Sequence, residues 1–132
     1  MSKDKYTLEY PFNSSPKVLF SRLSTASGLS EWFADDVYVN DKTFTFVWDG
    51  MEQKAEMLVR KTPEIVKFKW LEEQEESESE ESDPYFEFRI RKDDLTGETA
   101  LLITDFADDD DKDDAIELWD TQINALKHKL GL

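Results

Sequence analysis

The chain has 132 residues, of which 39% are hydrophobic and 36% charged, and its formal net charge is −15. This length suits a single domain, residues 1–132, with a true hydrophobic core. Because the sequence lacks cysteine, it excludes a disulfide framework, a thiolate metal site and a cysteine nucleophile, and it is compatible with a reducing environment. No apolar run is long enough for a signal peptide or a membrane span, so we expect a soluble, cytoplasmic protein.

Two acidic stretches carry almost the whole net charge. Residues 72–83 contain eight acidic and no basic side chains, and residues 105–114 contain seven acidic side chains and one lysine. Such stretches are typical of solvated loops, and they repel phosphate backbones, so we expect no nucleic-acid partner. The second stretch lacks the glycine and the final carboxylate of an EF-hand loop, so we predict no metal site, although loose binding of divalent cations stays open.

The first predicted element is an amphipathic strand in residues 5–12. Apolar and polar side chains alternate along it, which is typical of a half-buried antiparallel strand. We expect its inward face to consist of Tyr6, Leu8, Tyr10 and Phe12.

Two short helices are expected next. Either Ser14 or Ser15 can cap a helix that begins at Pro16, where the missing N–H of proline costs nothing. We expect this helix to end at Ser27-Gly28 and residues 29–34 to form the second helix. The apolar side chains assigned to the two helices are Val18, Leu19, Leu23, Leu29, Trp32 and Phe33.

Six more strands are predicted, because alternation of apolar and polar residues recurs from residue 36 to residue 106. Asp49-Gly50 marks a hairpin between two of them. Leu101, Leu102 and Ile103 are consecutive, so the inward face of the last strand is ambiguous. The inward side chains assigned to the other strands are Phe44, Phe46, Trp48, Ala55, Met57, Val59, Val66, Phe68, Trp70, Phe86, Phe88 and Ile90.

The last predicted element is a long helix from about Asp113 to Leu130. Steps of three and four residues place its apolar side chains on one face. Acidic residues surround its start and lysines its end, which matches the helix dipole. This face needs a partner surface, which we expect to be the inward side of the sheet. Its members are Ile116, Trp119, Ile123, Leu126 and Leu130.

This order of elements resembles the helix-grip fold of the START-like superfamily. The segments that carry the resemblance are residues 10–37, "YPFNSSPKVLFSRLSTASGLSEWFADDV", and the C-terminal helix. The resemblance implies an α+β domain in which a curved antiparallel sheet of about seven strands packs against that helix. The superfamily includes lipid-transfer domains, pollen-allergen-type ligand carriers, polyketide cyclases and dehydratases, and bacterial homologues of the heat-shock ATPase activator. The acidic residues 72–83 stand where better-known relatives commonly have a tight hairpin.

The resemblance implies that an apolar small molecule or a lipid binds between the sheet and the C-terminal helix, with no cofactor. Alternation and helical spacing lead to the same inner surface, but they do not show a cavity, because large aromatic side chains can also fill it. A ligand site needs at least ~300 Å³. Carried over by position, the lining would be Trp32 and Phe33 near one mouth, with Phe44, Phe46, Trp48, Met57, Val59, Phe68, Trp70, Phe86, Phe88, Leu102, Trp119, Ile123 and Leu126.

Three interpretations of function follow. The first is a non-catalytic carrier or sensor of a hydrophobic ligand. The second is a protein-interaction module similar to the heat-shock ATPase activator homologues, which would use its outer strand face and its acidic loops. A filled interior would favour the second, and a connected cavity the first.

The third interpretation is an enzyme of the polyketide cyclase or dehydratase type. The sequence disfavours it, because the single histidine, His128, falls on the polar side of the helix and no motif for a nucleophile or a nucleotide is present. The predicted interior offers few polar groups that could do chemistry: Tyr6, Tyr10, Gln53 and Thr104.

Trp119 lies on the apolar face of the C-terminal helix, and its replacement tests whether the interior is filled. If it is, the substitution Trp119→Ala should lower the free energy of unfolding by ~3 to 5 kcal/mol, as measured by urea denaturation. A markedly smaller loss would indicate that Trp119 borders empty or solvent-filled space.

Overall fold

The computed structural model describes residues 4–71 and 85–132, so the acidic residues 72–83 lie outside the described part of the chain. The described residues form seven strands and three helices. In chain order these are β1 (Asp4–Phe12), α1 (Pro16–Ser24), α2 (Ala26–Leu29), β2 (Asp36–Asn40), β3 (Thr43–Trp48), β4 (Met51–Lys61), β5 (Ile65–Leu71), β6 (Tyr85–Lys92), β7 (Thr99–Ala107) and α3 (Lys112–Lys129).

All seven strands form one curved antiparallel sheet in the order β1-β7-β6-β5-β4-β3-β2. Consecutive strands pair from β2 to β7, and β1 joins the free edge of β7, with Tyr6 opposite Asp105. The two short helices follow β1, and the long helix α3 closes the chain. The expected α+β helix-grip fold is therefore confirmed. None of the helices in the described residues is both long and apolar enough to cross a membrane.

One hydrophobic core lies between the inner face of the sheet and the helices. Trp119, Ile123 and Leu126 of α3 are buried in the same cluster as Phe68 and Phe88 from the middle of the sheet. The predicted inward face of β1 is also confirmed, because Tyr6 and Phe12 are buried and Leu8 and Tyr10 pack against the cluster. The helix stripe and the alternating strand residues thus meet in one interior.

A bulge in β4 contradicts the predicted position of Val59. The register with β5 shifts between Met57 and Val59, so Leu58 is an extra residue. Val59 therefore pairs with Lys67, lies on the outer face of the sheet and is 39% exposed. The next residue, Arg60, takes the inward position instead, and its guanidinium lies 5.8 Å from the ring centroid of Phe20.

The pairing of β7 also contradicts the prediction for Leu102. Leu101 and Ile103 are fully buried, while Leu102 pairs with Glu9 and lies on the outer face. Thr104 lies on that outer face too, where its Oγ1 is 3.3 Å from Oγ1 of Thr7. Three consecutive apolar residues satisfy alternation in either register, so only the neighbouring strands fix which of them point inwards.

The first helix begins as predicted, but the prediction that Val18 is buried is wrong. Oγ of Ser15 accepts a hydrogen bond from the backbone N–H of Val18 at 3.2 Å, and Pro16 is the first residue of α1. Leu19 and Leu23 are buried, whereas Val18 is 47% exposed and Phe20 is buried in its place.

The second helix comes earlier than predicted, because Thr25 starts it. The hydroxyl of Thr25 accepts a hydrogen bond from the N–H of Gly28 at 3.0 Å, so α2 begins at Ala26 and ends at Leu29. Gly28 therefore lies inside α2 and does not separate the helices. A Cβ at this position would lie 2.4 Å from the carbonyl oxygen of Ser21 and 2.7 Å from Cα of Arg22, so the close approach of α1 and α2 requires glycine.

We expect the substitution Gly28→Ala to lower the free energy of unfolding by about 1–3 kcal/mol, because the added methyl group would force the two helices apart. At an exposed helix position, alanine in place of glycine would raise the free energy of unfolding by about 1 kcal/mol. A decrease for Gly28→Ala would therefore show that steric overlap outweighs helix propensity. Chemical denaturation of Gly28→Ala beside the neighbouring exposed variant Ser27→Ala measures it. A stabilised Gly28→Ala protein would show that the contact with Ser21 does not constrain this position.

Candidate functional site

The centre of the interior is filled by Phe33, which belongs to the loop between α2 and β2. Its ring centroid lies 5.1 Å from that of Phe46, 5.3 Å from Trp48 and 5.5 Å from Phe86. On the other side, the ring of Trp119 from α3 stacks on it at 5.8 Å. One loop side chain therefore occupies the space between the sheet and the long helix.

The remaining aromatic side chains of the sheet pack directly against each other. The rings of Phe68 and Phe86 stack at 4.9 Å, those of Phe44 and Phe68 meet edge to face at 5.2 Å, and Trp70 lies 4.9 Å from Phe86. Tilted and edge-to-face contacts at these distances are the favourable geometry for aromatic pairs. The interior is thus closely packed along the sheet as well as around Phe33.

Thirteen of the fifteen predicted lining residues lie on the inner face, and two do not. Val59 and Leu102 lie on the outer face, for the reasons given above. Trp48, Met57 and Trp70 are half-buried at the margin of the core. Whether these residues contact a ligand stays a prediction. The buried members are Trp32, Phe33, Phe44, Phe46, Phe68, Phe86, Phe88, Trp119, Ile123 and Leu126.

Two open depressions on the described surface are large enough to hold a ligand group, and neither is enclosed by the sheet and α3. One, of about 420 Å³, lies on the outer face beside the turn between β6 and β7. The other, which we call the tryptophan cleft, has a volume of about 400 Å³ and lies between the α2–β2 loop, the end of β3 and α3. It is lined by Ser30, Glu31, Trp32, Phe33, Ala34, Asp35, Trp48, Gln122 and Ala125.

Hydrogen bonds to two backbone carbonyl groups, those of Phe33 and Arg22, fix the walls of the tryptophan cleft. The carbonyl oxygen of Phe33 accepts from Nε1 of Trp48 at 2.7 Å and from Nε2 of Gln122 at 2.9 Å. Nε1 of Trp32 donates to the carbonyl oxygen of Arg22 at 2.8 Å, which ties the same loop to α1. The loop is thereby attached to a strand and to two helices.

Gln122 was missed in the sequence, although its spacing could have identified it. It follows Trp119 by three residues and precedes Leu126 by four, so it lies on the flank of the apolar stripe. A polar side chain at such a position needs a partner when it is partly buried.

The rim of the tryptophan cleft is acidic. Glu31 forms an ion pair with Arg22, with 2.9 Å between Oε2 and Nη1. Asp35 is exposed, and its Oδ2 accepts a hydrogen bond from the backbone N–H of Asp49 at 2.8 Å. None of the described residues that line the cleft is lysine or arginine. Trp48 is half-buried, whereas Trp32 and Phe33 are buried, so the cleft combines the accessible part of one tryptophan with negative charge.

A second polar cluster corrects the prediction that residues 105–114 are a solvated loop. Asp105 belongs to β7 and points to the inner face, where its Oδ2 accepts from Nε1 of Trp119 at 3.0 Å and from the hydroxyl of Tyr6 at 3.3 Å. Burial, followed by repulsion from the Asp105 carboxylate, raises the pKa of Tyr6 above its ordinary value. Asp105 therefore joins β1, β7 and α3 from the interior.

Tyr10 makes a similar connection to α3. Its hydroxyl donates to Oδ1 of Asp120 at 2.6 Å, and burial, then this hydrogen bond, raises the pKa of Tyr10. Both tyrosines are therefore protonated donors at neutral pH. Of the other polar groups expected inside, Gln53 is exposed and Thr104 lies on the outer face, while His128 is exposed as predicted. No three acidic or histidine side chains in residues 4–71 and 85–132 are grouped to hold a metal ion.

Comparison with known proteins places this architecture in a family. The family model for the START-like superfamily domain matches residues 1–132. A solved structure from Bacteroides fragilis is 38% identical, with 100% of this chain and 94% of that chain covered and a TM-score of 0.66. No curated protein matches the chain.

Two more distant structures are similar in fold alone. The Aha1 dimer from Colwellia psychrerythraea has a TM-score of 0.77 at 16% identity, with 94% of this chain and 93% of that chain covered. A protein from Mesorhizobium loti has a TM-score of 0.74 at 17% identity, with 97% of each chain covered. On the match over its whole length and the identity to the Bacteroides fragilis protein, this chain belongs to the START-like superfamily.

Proposed function

We propose that this protein is a non-catalytic module that binds a protein partner through its surface. The observation that carries the proposal is the position of Phe33, whose ring occupies the space where the START-like resemblance implies an apolar ligand. A ligand in that space would have to displace a side chain that already contacts the sheet and α3. The filled interior therefore favours recognition on the outside of the domain.

The fold comparison supports the same proposal. The Colwellia psychrerythraea protein, whose fold is similar along nearly the whole chain, is a dimer, so there the same fold associates with a second copy of itself. We also propose a cytoplasmic location, which the absence of cysteine supports.

The absence of catalysis is part of the proposal, and the polar groups of the described interior support it. A general acid or base works best with a pKa near the working pH, whereas burial moves the pKa of Tyr6 and Tyr10 further from neutrality. Asp105 is engaged by Tyr6 and Trp119, and these contacts place it between elements of the fold. None of these groups lines the tryptophan cleft. A cyclase or dehydratase activity has less support than binding.

A second candidate function, carriage of an apolar ligand, is favoured by one observation. The side chain that fills the interior comes from a loop and not from the sheet or α3. Movement of that loop would open a space bordered by Phe46, Phe86 and Trp119, next to the tryptophan cleft. This would require breaking both hydrogen bonds to the carbonyl of Phe33.

The substitution Phe33→Ala separates the two candidates. It should lower the free energy of unfolding by ~3 to 5 kcal/mol, because it removes a buried aromatic ring. Added indole should raise the melting temperature of Phe33→Ala, since a ligand that binds only the folded state stabilises it. Indole should leave the wild-type protein unchanged, because its interior is occupied.

The matched control is Val18→Ala, which shortens an apolar side chain on the surface of α1. It should respond to indole as the wild-type protein does. A rise in the melting temperature of the wild-type protein with indole would contradict the proposal. So would an apolar compound retained by the wild-type protein in native mass spectrometry after purification from its own host.

A further inference from the structure

We propose that the tryptophan cleft binds a lysine or arginine side chain that is flanked by apolar residues in a segment of the partner. This inference rests on the proposed function, because it assigns a surface and a partner chemistry to the binding module. It follows from the shape of the cleft, the charge at its rim and the apolar residues beside it.

The cleft has the size and the walls to take one long basic side chain. It is an open depression of about 400 Å³, which leaves room for the stem and head group of such a side chain. Trp48 is half-buried and forms one wall, and the exposed Ala125 of α3 lines the cleft without obstructing it. An aromatic face attracts a lysine or arginine head group within about 6 Å and also packs against its aliphatic stem.

The walls need no rearrangement for binding. The Phe33 carbonyl holds Trp48 and Gln122 in place, and Trp32 is tied to α1 through the carbonyl of Arg22. A site with fixed side chains loses less conformational entropy when it binds than a site that must first become ordered.

The charge of the rim selects for a cation. Arg22 partly neutralises the charge of Glu31. Asp35 accepts its hydrogen bond from an uncharged backbone N–H, so this contact does not neutralise the Asp35 carboxylate. Two further exposed carboxylates lie nearby. Asp36 follows Asp35 in sequence, and Asp49, whose backbone N–H donates to Asp35, lies in the β3–β4 turn. With no lysine or arginine lining the described cleft, an acidic or phosphorylated segment would be repelled.

Two exposed apolar residues beside the cleft point to a polypeptide segment and not to a small amine. Met51 pairs with Trp48 across the β3–β4 hairpin and is 71% exposed. Leu118 precedes Gln122 by four residues and Ala125 by seven, so it shares their side of α3, and it is 58% exposed. Methionine adapts its shape to varied apolar partners. These residues can contact apolar side chains on either side of a basic one.

A direct test uses an amidated peptide of about twelve residues built from repeated Lys-Leu-Leu-Lys units, which places basic residues beside apolar ones. Its acidic counterpart replaces each lysine with glutamate. Isothermal titration calorimetry should detect binding of the basic peptide, weakened by added salt, and no binding of the acidic peptide. In NMR spectra the indole N–H signals of Trp48 and Trp32 should shift on binding. The signal of Trp119, whose indole N–H donates a hydrogen bond to Asp105, should not shift.

Because the whole chain is negative, two variants of equal charge separate the cleft from general attraction. Ala125→Arg places a cation inside the cleft and should weaken binding by about tenfold or more. Asn124→Arg adds the same charge at the neighbouring exposed position, outside the cleft, and should change the affinity less than about twofold. Both sites are exposed, so the variants should keep the wild-type melting temperature.

Each alternative result overturns the inference in a distinguishable way. Equal effects of Ala125→Arg and Asn124→Arg, or absence of peptide binding, would reject this cleft while leaving a surface-binding function standing. Displacement of the basic peptide by indole, together with a higher melting temperature of the wild-type protein in indole, would reject both this inference and the proposed function.

Discussion

The insertion of Phe33 between the sheet and α3 is the interaction on which the rest of the structure depends. Burying this residue also buries its backbone carbonyl, and an unpaired buried carbonyl costs about 1–3 kcal/mol. Trp48 and Gln122 both donate to that oxygen, so the polar requirement of the loop is met by the two elements between which the ring lies. Aromatic packing and hydrogen bonding therefore fix the same loop, and the tryptophan cleft is the outer surface of that arrangement.

Most of the fold could be predicted from the sequence because its two periodicities are strong. The alternation in β3, β5 and β6 and the spacing in α3 each identify the buried side without knowledge of a partner strand. The errors have specific causes. Alternation predicts an inward Val59 because a bulge adds a residue without changing the composition of the strand. It does not fix the side of Leu102 because neighbouring strands alone determine the register of β7. The second helix was misplaced because Thr25 caps it.

The candidate site was less predictable than the fold. The residues of the inner surface were largely identified, but their side chains can either line a cavity or fill it, and only the loop carrying Phe33 decides between these states. Asp105 belongs to an acidic stretch of the sequence, and composition does not distinguish its inward carboxylate from the solvated aspartates that follow it. Gln122 was detectable from helical spacing, but its partner, a carbonyl of a distant loop, was not.

The bulge in β4 has a consequence for how this strand tolerates change. Before the bulge, the odd-numbered positions Ala55 and Met57 face the core, whereas after it the even-numbered position Arg60, which is exposed, lies on the inner side of the sheet opposite Val66. The inward positions of the strand therefore have odd numbers before the bulge and even numbers after it. Loss of the single extra residue, Leu58, would make the alternation regular along the whole strand while leaving Val59 opposite Lys67 and Arg60 opposite Val66. Alignments with relatives that lack the bulge will be displaced by one residue from this point to the end of β4.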